Sequence, residues 1–473
     1  MRRLLVLLLL LGSCGTVVRV HAVGPYAPEV LANLVKPSVA RIMTHTAGEA
    51  EIASIKVDVR RGLIAVDESA DPIKISVDEY ISGSGLIIHP DGYIATNAHV
   101  VSQETIKQML ASESAMAAFY ENVLYLSDEE AQSFLQSDGA EVFGKQVLRT
   151  VIENSRFDLR TETFVLDPRS VKERPADLVR EAFPASVEIL NESFMEDDRD
   201  VAIIRVDLDR LPALPIASGS ALSVGSTAYV FGFPGTAEFN SKSPTEATFT
   251  RGVVSAIKTA ASKDFPIYQT DAKVSQGSSG GPLFNDFGEV VGLVTFQTSE
   301  LERSSGDNFA FALPAVLIRE EAEKVGLVLD RHEIFRAFTQ GIDAYEHRRC
   351  EEAFGYFHQA GSVNEIFSLE KSMEPYRERC RSIQANGQAI DTRWDMMKDR
   401  AESINIPMAT LLGAILFLSS IFGAALFWLV RQVRREEGEI ASLRERIRND
   451  ERKRHEKKYG EERIAVRVRD TKR

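Results

Sequence analysis

Ser279 stands among glycines in Gln269-Thr270-Asp271-Ala272-Lys273-Val274-Ser275-Gln276-Gly277-Ser278-Ser279-Gly280-Gly281-Pro282-Leu283. A serine in a tight glycine-flanked turn can expose its hydroxyl while neighbouring backbone N–H groups converge on one point. That geometry stabilises a developing oxyanion, and Gly277 and Ser279 are the expected donors. A serine hydroxyl is a weak nucleophile at neutral pH and needs an adjacent base. The segment Gly83 to Val101 offers His99: two apolar runs flank Pro90-Asp91-Gly92, a hairpin turn signal, and the second strand carries His99 at its end. Taken alone, His99 reads first as a structural, packing histidine. The segment Asp197-Asp198-Arg199-Asp200-Val201-Ala202-Ile203-Ile204-Arg205-Val206 supplies carboxylates. An acid at the mouth of an apolar strand can hold an imidazole in one tautomer and stabilise its protonated form. Three aspartates compete; Asp200 is preferred because it directly precedes the apolar run, whereas Asp197 and Asp198 read as solvated loop charges.

The elements that must bring these residues together are short β-rich runs. From about Lys36 to Leu313 such runs alternate with Gly, Pro, Asn and Asp turns, and from about Ala315 the pattern turns helical. Residues 102–154, with Met109, Met116, Phe119 and Leu124, read as helices inserted between strands. From about 331 to 400 the pattern is helical. Gly341-Ile342-Asp343-Ala344-Tyr345, Ala353, Tyr356-Phe357 and Ala360 look like one tetratricopeptide-type hairpin, with Ala353 permitting close approach and Tyr345 and Phe357 filling the interface. A lone repeat cannot bury its faces, so it must pack on another unit, self-associate or engage a protein partner; an ordinary amphipathic hairpin is the alternative.

The two ends carry addressing signals. Arg2 and Arg3, the apolar run Leu4 to Leu11 and small residues ending in Val20-His21-Ala22 make residues 1–22 a signal peptide; Leu11-Gly12-Ser13-Cys14 competes as a lipid-attachment motif. Asn405 to Val430 holds no charge and is long enough to cross a bilayer. Arg431, Arg434 and Arg435 follow at once, so the positive-inside rule puts the charged tail 431–473 in the cytoplasm and the rest outside it, a single-pass topology. Ser419 with Gly423, and Ser420 with Ala424, offer a small-residue face for a homo-oligomeric contact.

Composition is that of an ordinary globular protein, 44% hydrophobic and 26% charged. The formal charge of −13 argues against a nucleic-acid partner. Cys350 and Cys380 remain once the leader is set aside, and an oxidising address permits a disulfide as readily as two buried thiols. His45, His332, His347 and His358 show no ligand spacing, so neither a metal nor another cofactor is predicted.

The blocks Thr96-Asn97-Ala98-His99-Val100-Val101, Asp200-Val201-Ala202-Ile203-Ile204 and Gly277-Ser278-Ser279-Gly280-Gly281-Pro282-Leu283 resemble the three signature blocks of the bacterial HtrA/Deg branch of trypsin-like serine proteases. The order His, Asp, Ser is that of the chymotrypsin architecture. The resemblance covers about 36–325 and implies a mainly β fold: two six-stranded antiparallel β-barrels with the active site between them. It implies Ser279 as nucleophile, His99 as general base and then acid, Asp200 as orienting carboxylate, and polypeptide substrates. It also makes Gly292-Leu293-Val294-Thr295-Phe296 the strand lining the primary specificity pocket, with Val294 and Phe296 suggesting an aliphatic preference. Lys273, near the pocket base, would admit acidic side chains instead if its ammonium points inward. Three departures stand out: Ser278 replaces the usual asparagine, the helical insertion separates His99 from Asp200, and a helical segment follows where the family has a PDZ domain. A membrane-bound sensor or scaffold that binds polypeptides without cutting them is the alternative reading of the whole chain.

Overall fold

A computed structural model describes residues 25–123, 126–127, 134, 138–190, 199–219, 222–235, 246–259, 265–297, 309–391 and 408–470. The signal segment with Cys14, and Asp197, Asp198 and Asn405, lie outside them. The chain forms two compact units, up to Ala389 and from Ile390 onward.

In the first unit, helix α1 (Pro28–Val35) leads into β1 (Val39–Ile52), the hairpin β2 (Ile55–Asp58) and β3 (Leu63–Val66), and then β4 (Ile73–His89) and β5 (Tyr93–Thr96). A one-turn helix α2 (Ala98–Val101) and the inserted helices α3 (Gln103–Val123) and α4 (Asp138–Asn154) follow, before β6 (Arg156–Val165), α5 (Pro175–Arg180), β7 (Phe183–Leu190) and β8 (Ala202–Val206). These strands close a barrel in the order β1-β4-β5-β8-β7-β6. A second barrel comprises β9 (Thr227–Gly232), β10 (Thr248–Lys258), β11 (Ile267–Thr270), β12 (Pro282–Phe284), β13 (Val290–Gln297) and β14 (Ala310–Pro314), in the order β10-β11-β14-β13-β12-β9. Every pairing within the barrels is antiparallel. The expected pair of six-stranded barrels is therefore what the chain builds.

The two-residue period of a strand explains how the barrels are joined. Along β8 and the residue before it, Ala202, Ile204 and Val206 pack in the first barrel's cluster with Ile42, Ile87 and Ile94. Val201 and Ile203 point the other way, into a cluster shared with Tyr229, Phe231, Phe284 and Leu293 of the second barrel. Both sets are essentially buried. At about 1.5–3 kcal/mol for each large apolar side chain, this shared cluster clamps the barrels together and fixes the cleft between them.

Of the insertion expected at 102–154, the described residues form the helices α3 and α4, and Leu124 lies outside them. α3 and α4 pack Ile106, Ala111, Phe143, Val147 and Val151 against Ile52 of β1, the β2–β3 hairpin and Val77 of β4. After β14 come α6 (Ala315–Lys324), α7 (Glu333–Glu346), α8 (Cys350–Ala360) and α9 (Glu370–Ala385). Ala353 and Phe357 are fully buried between α7 and α8, and Tyr345 meets the ring of Tyr376 edge-on at 5.4 Å. The hairpin is not alone: α9 and the N-terminal α1 complete its core, Val30 and Leu34 joining Phe338, Phe357 and Met373. Cys350 and Cys380 sit in that core as buried thiols.

The second unit contains helix α10 (Met408–Asp470). Within Leu416–Arg454 an 18-residue window reaches a mean hydropathy of 1.6, long and apolar enough to cross a membrane. Phe417, Phe422, Phe427 and Trp428 project outward, unburied by the protein.

Candidate active site

His99 does not end a strand. β5 stops at Thr96, Asn97 breaks into extended backbone, and His99 is the second residue of α2. Asn97 Nδ2 donates to the Asp200 carbonyl at 2.7 Å, tying this corner to the mouth of β8. The Asp200 carboxylate then receives the His99 main-chain N–H on Oδ1 at 2.9 Å and pairs through Oδ2 with His99 Nδ1 at 2.7 Å. Two bonds from one carboxylate fix both the position of the histidine and its ring plane. With Nδ1 as donor to a carboxylate, Nε2 keeps its lone pair and can accept a proton. The Asp200 side chain is 11% exposed and that of His99 22%, so the pair is sheltered yet reachable from the cleft.

Ser279 lies across that cleft on the turn before β12. Its hydroxyl donates to the Thr295 carbonyl at 3.0 Å. The turn is built by main-chain bonds: Ser278 N–H to Ser275 at 2.9 Å, Gly281 N–H to Ser278 at 3.0 Å, and Gly280 N–H to Val294 at 2.8 Å. Gly277 has a φ of +94° and Gly280 of +84°. A β-carbon on Gly277 would come within 2.4 Å of the Phe233 carbonyl oxygen, and one on Gly280 within 2.1 Å of the Ser84 carbonyl oxygen. Both positions therefore require glycine for conformation and for space. Among the described residues, neither the Gly277 nor the Ser279 N–H donates to another group, which leaves both available to a ligand oxygen.

Thr295, expected in the specificity pocket, has a different contact. Its hydroxyl donates to Asp200 Oδ2 at 2.6 Å, so one residue touches the acid through its side chain and the serine through its carbonyl. Strand alternation could have set it opposite Val294, though not which of the two faces the core. Val294, its neighbour on β13, is 1% exposed and packs in the second barrel's cluster with Val230, Tyr268 and Ala312, so Thr295 must face the opposite way. By the same burial Val294 offers no side-chain wall to a substrate; its main chain holds Gly280 and Gly281. Lys273 is exposed, and the Phe296 side chain lies outside what the structure describes. Among the described residues no group of His, Cys, Asp or Glu could hold a metal ion.

The model of the trypsin-like peptidase domain family matches residues 83–293, from β4, two strands before His99, to β13, two strands after Ser279. Residues 83–293 are a trypsin-like peptidase domain. Curated relatives place that domain near the HtrA/Deg branch, as the three sequence blocks suggest. A probable periplasmic serine endoprotease, DegP-like, of Halomonas elongata is 34% identical over 130 residues, 27% of this chain and 25% of the relative. A protein of the same description from Pseudomonas putida is 25% identical over 288 residues, 59% of this chain and 42% of the relative. This chain thus spans between a quarter and a half of the length of these relatives. Among solved structures, a serine endoprotease from Yersinia pestis aligns at 18% identity with a TM-score of 0.33, covering 64% of this chain and 67% of that one. The peptidase domain's barrels run beyond the matched stretch at both ends, from Val39 to Pro314.

Proposed function

We propose that the chain is a membrane-anchored serine endopeptidase that hydrolyses peptide bonds in proteins outside the cytoplasm, in the service of protein quality control. The observation that carries this reading is the pair of hydrogen bonds between His99 and Asp200, at 2.7 and 2.9 Å, together with a serine whose loop presents two undonated amides. The first step requires the Ser279 proton to swing from the Thr295 carbonyl to His99 Nε2. Oγ then adds to the substrate carbonyl carbon, and the oxygen gains a negative charge that the Gly277 and Ser279 N–H groups receive. His99 returns its proton to the amide nitrogen as the C–N bond breaks, leaving an acyl ester on Ser279 and a free amine. Water, deprotonated by His99, repeats the addition and releases the acid.

The extracytoplasmic address is favoured by the leader at residues 1–22 and by the periplasmic description of the relatives. The anchor is favoured by α10: Ser419 and Ser420 both donate their hydroxyls to the Leu416 carbonyl, so the helix satisfies its own polar groups as a bilayer demands. Arg431, Arg434 and Arg435 then set the tail on the cytoplasmic side.

A fluorophosphonate probe should label the purified full-length chain on Ser279, and Ser279→Ala should abolish both labelling and hydrolysis of an unfolded protein substrate while the thermal midpoint stays put. Labelling that survives in Ser279→Ala, or retention of about a tenth of the activity against the roughly 10³-fold or greater loss expected, would overturn the assignment. Protease added to intact spheroplasts should digest the peptidase domain and spare a tag placed after Arg473; digestion of the tag would reverse the topology.

A further inference from the structure

Ser84 belongs to the first barrel, in β4 opposite Arg41 of β1, yet its side chain reaches into the second. It is fully buried. Its Oγ donates to the Gly277 carbonyl at 2.7 Å and accepts the Phe233 N–H at 3.0 Å. Its main-chain N–H donates to the Ser279 carbonyl at 2.8 Å. Its own carbonyl is held by the Thr96 hydroxyl at 2.8 Å, from the strand that ends three residues before His99.

The direction of an amide N–H is set by the carbonyl on the same peptide plane and by the planes on either side. The plane carrying the Gly277 N–H also carries the Gln276 carbonyl, which is tied to the Gly235 N–H at 2.8 Å. The next plane carries the Gly277 carbonyl, tied to Ser84 Oγ. The plane with the Ser279 N–H carries the Ser278 carbonyl, tied to Gly281, and the plane after it carries the Ser279 carbonyl, tied to the Ser84 N–H. Four consecutive peptide planes are therefore pinned, two of them by Ser84. Its Oγ also joins the Phe233–Gly235 stretch to the Gly277 loop, and that stretch carries the Gly235 N–H that aims the first plane. Gly277 is a residue for which rotation is easy, since glycine lacks the side chain that would confine φ and ψ. Something outside the loop must hold it.

We propose that Ser84 is the positioning residue of the oxyanion hole: bonding to the carbonyls of Gly277 and Ser279 from behind, it keeps the N–H groups of both directed at the cleft. This rests on the endopeptidase reading above and deepens it. Ser84 touches no substrate atom, so its effect is carried wholly by the two amides. Loss of its hydroxyl releases the Gly277 carbonyl and the Phe233 N–H together, and the Gln276–Gly277 plane can then turn its N–H away from the developing charge.

The test is Ser84→Ala in the full-length protein. Loss of an oxyanion donor costs about 10²–10³-fold in kcat, and a donor that is misaimed for part of the time should cost about 10- to 100-fold. The expected result is a fall of that size in kcat with little change in KM, and a parallel loss of affinity for a peptide aldehyde, whose adduct carries the oxyanion. The apparent pKa of the kcat/KM profile should not move, because the His99–Asp200 pair is untouched. Ser84→Cys, which keeps the shape and a weak donor, should recover part of kcat; it also serves if the alanine variant does not fold. Activity within about threefold of wild type, a loss confined to KM, or a shifted pH profile would each overturn the role. Failure of the wild-type chain to react with a fluorophosphonate would instead sink the endopeptidase reading, independently of any Ser84 variant.

Discussion

Thr295 Oγ1 donates to Asp200 Oδ2 at 2.6 Å, the same oxygen that pairs with His99 Nδ1. The carboxylate is thereby held from a second barrel, 95 residues away along the chain, and its orientation does not depend on β8 alone. Thr295→Val keeps the shape and removes the donor. The expected outcome is a fall in kcat of about tenfold, and a stability loss of about 1–3 kcal/mol from the buried acceptor left short of a partner. Thr295→Ser should restore both. Steady-state kinetics and urea unfolding on the three proteins decide it; a valine variant with wild-type kcat would show that His99 alone suffices to orient Asp200.

Asp200 is the acid that the histidine meets, through two bonds. An asparagine there can present an N–H to Nδ1 and stabilise the wrong tautomer. A loss of about 10⁴-fold in kcat is expected for Asp200→Asn, the size that follows when the histidine of a serine triad is held in that tautomer. Asp197→Asn and Asp198→Asn should each stay near wild type. A severe defect at Asp198 would move the assignment.

Among the described residues, the insertion meets His99 through Thr105. Thr105, in the first turn of α3, donates its hydroxyl to the His99 carbonyl at 2.8 Å, a carbonyl left over at the end of the single-turn α2. Thr105→Val should loosen the His99 corner, lowering kcat by about two- to tenfold without altering the rate-determining pKa. Thr105→Ser should behave as wild type, and a valine variant indistinguishable from it would leave the insertion without influence on catalysis.

His89 closes the hairpin that leads to His99. It is 6% exposed, and its Nδ1 accepts the Asp91 N–H at 3.2 Å, which requires that nitrogen to be unprotonated. Burial pushes its pKa below the usual 6.5, the nearby Asp91 carboxylate opposing this in part. The unfolded chain binds the proton more readily, so this group's contribution to stability is complete above about pH 6.5 and drains away as the pH falls toward the lower folded value. Urea midpoints should therefore fall between about pH 7.5 and about pH 5.5, and His89→Asn, whose amide oxygen can take over the bond, should flatten that slope. An unchanged slope would exclude His89 as the source.

What the chain shows directly is local. Pro90-Asp91-Gly92 between apolar runs is a hairpin because the turn and the strands are written within a few residues of each other, and β4 and β5 pair across it. Gly277-Ser278-Ser279-Gly280 is a tight turn because glycine takes the positive φ values at its two ends without strain. The apolar stretch of α10 and the alternation that builds both barrels are likewise short-range patterns. For His99 the sequence points to a strand end, whereas the structure puts it in a one-turn helix, an element with too few residues to show a period.

The long-range bonds are a different matter. Ser84 meets Gly277 across 193 residues, Thr295 meets Asp200 across 95, and His99 meets Asp200 across 101. Nothing in the spacing of those residues marks them as neighbours, because their approach is decided by the closure of two barrels on a shared apolar cluster. Val294, expected at the substrate, goes to the core, while Thr295 beside it turns to the acid; that choice of face follows from the register of β13 between β12 and β14, which only the closed sheet settles.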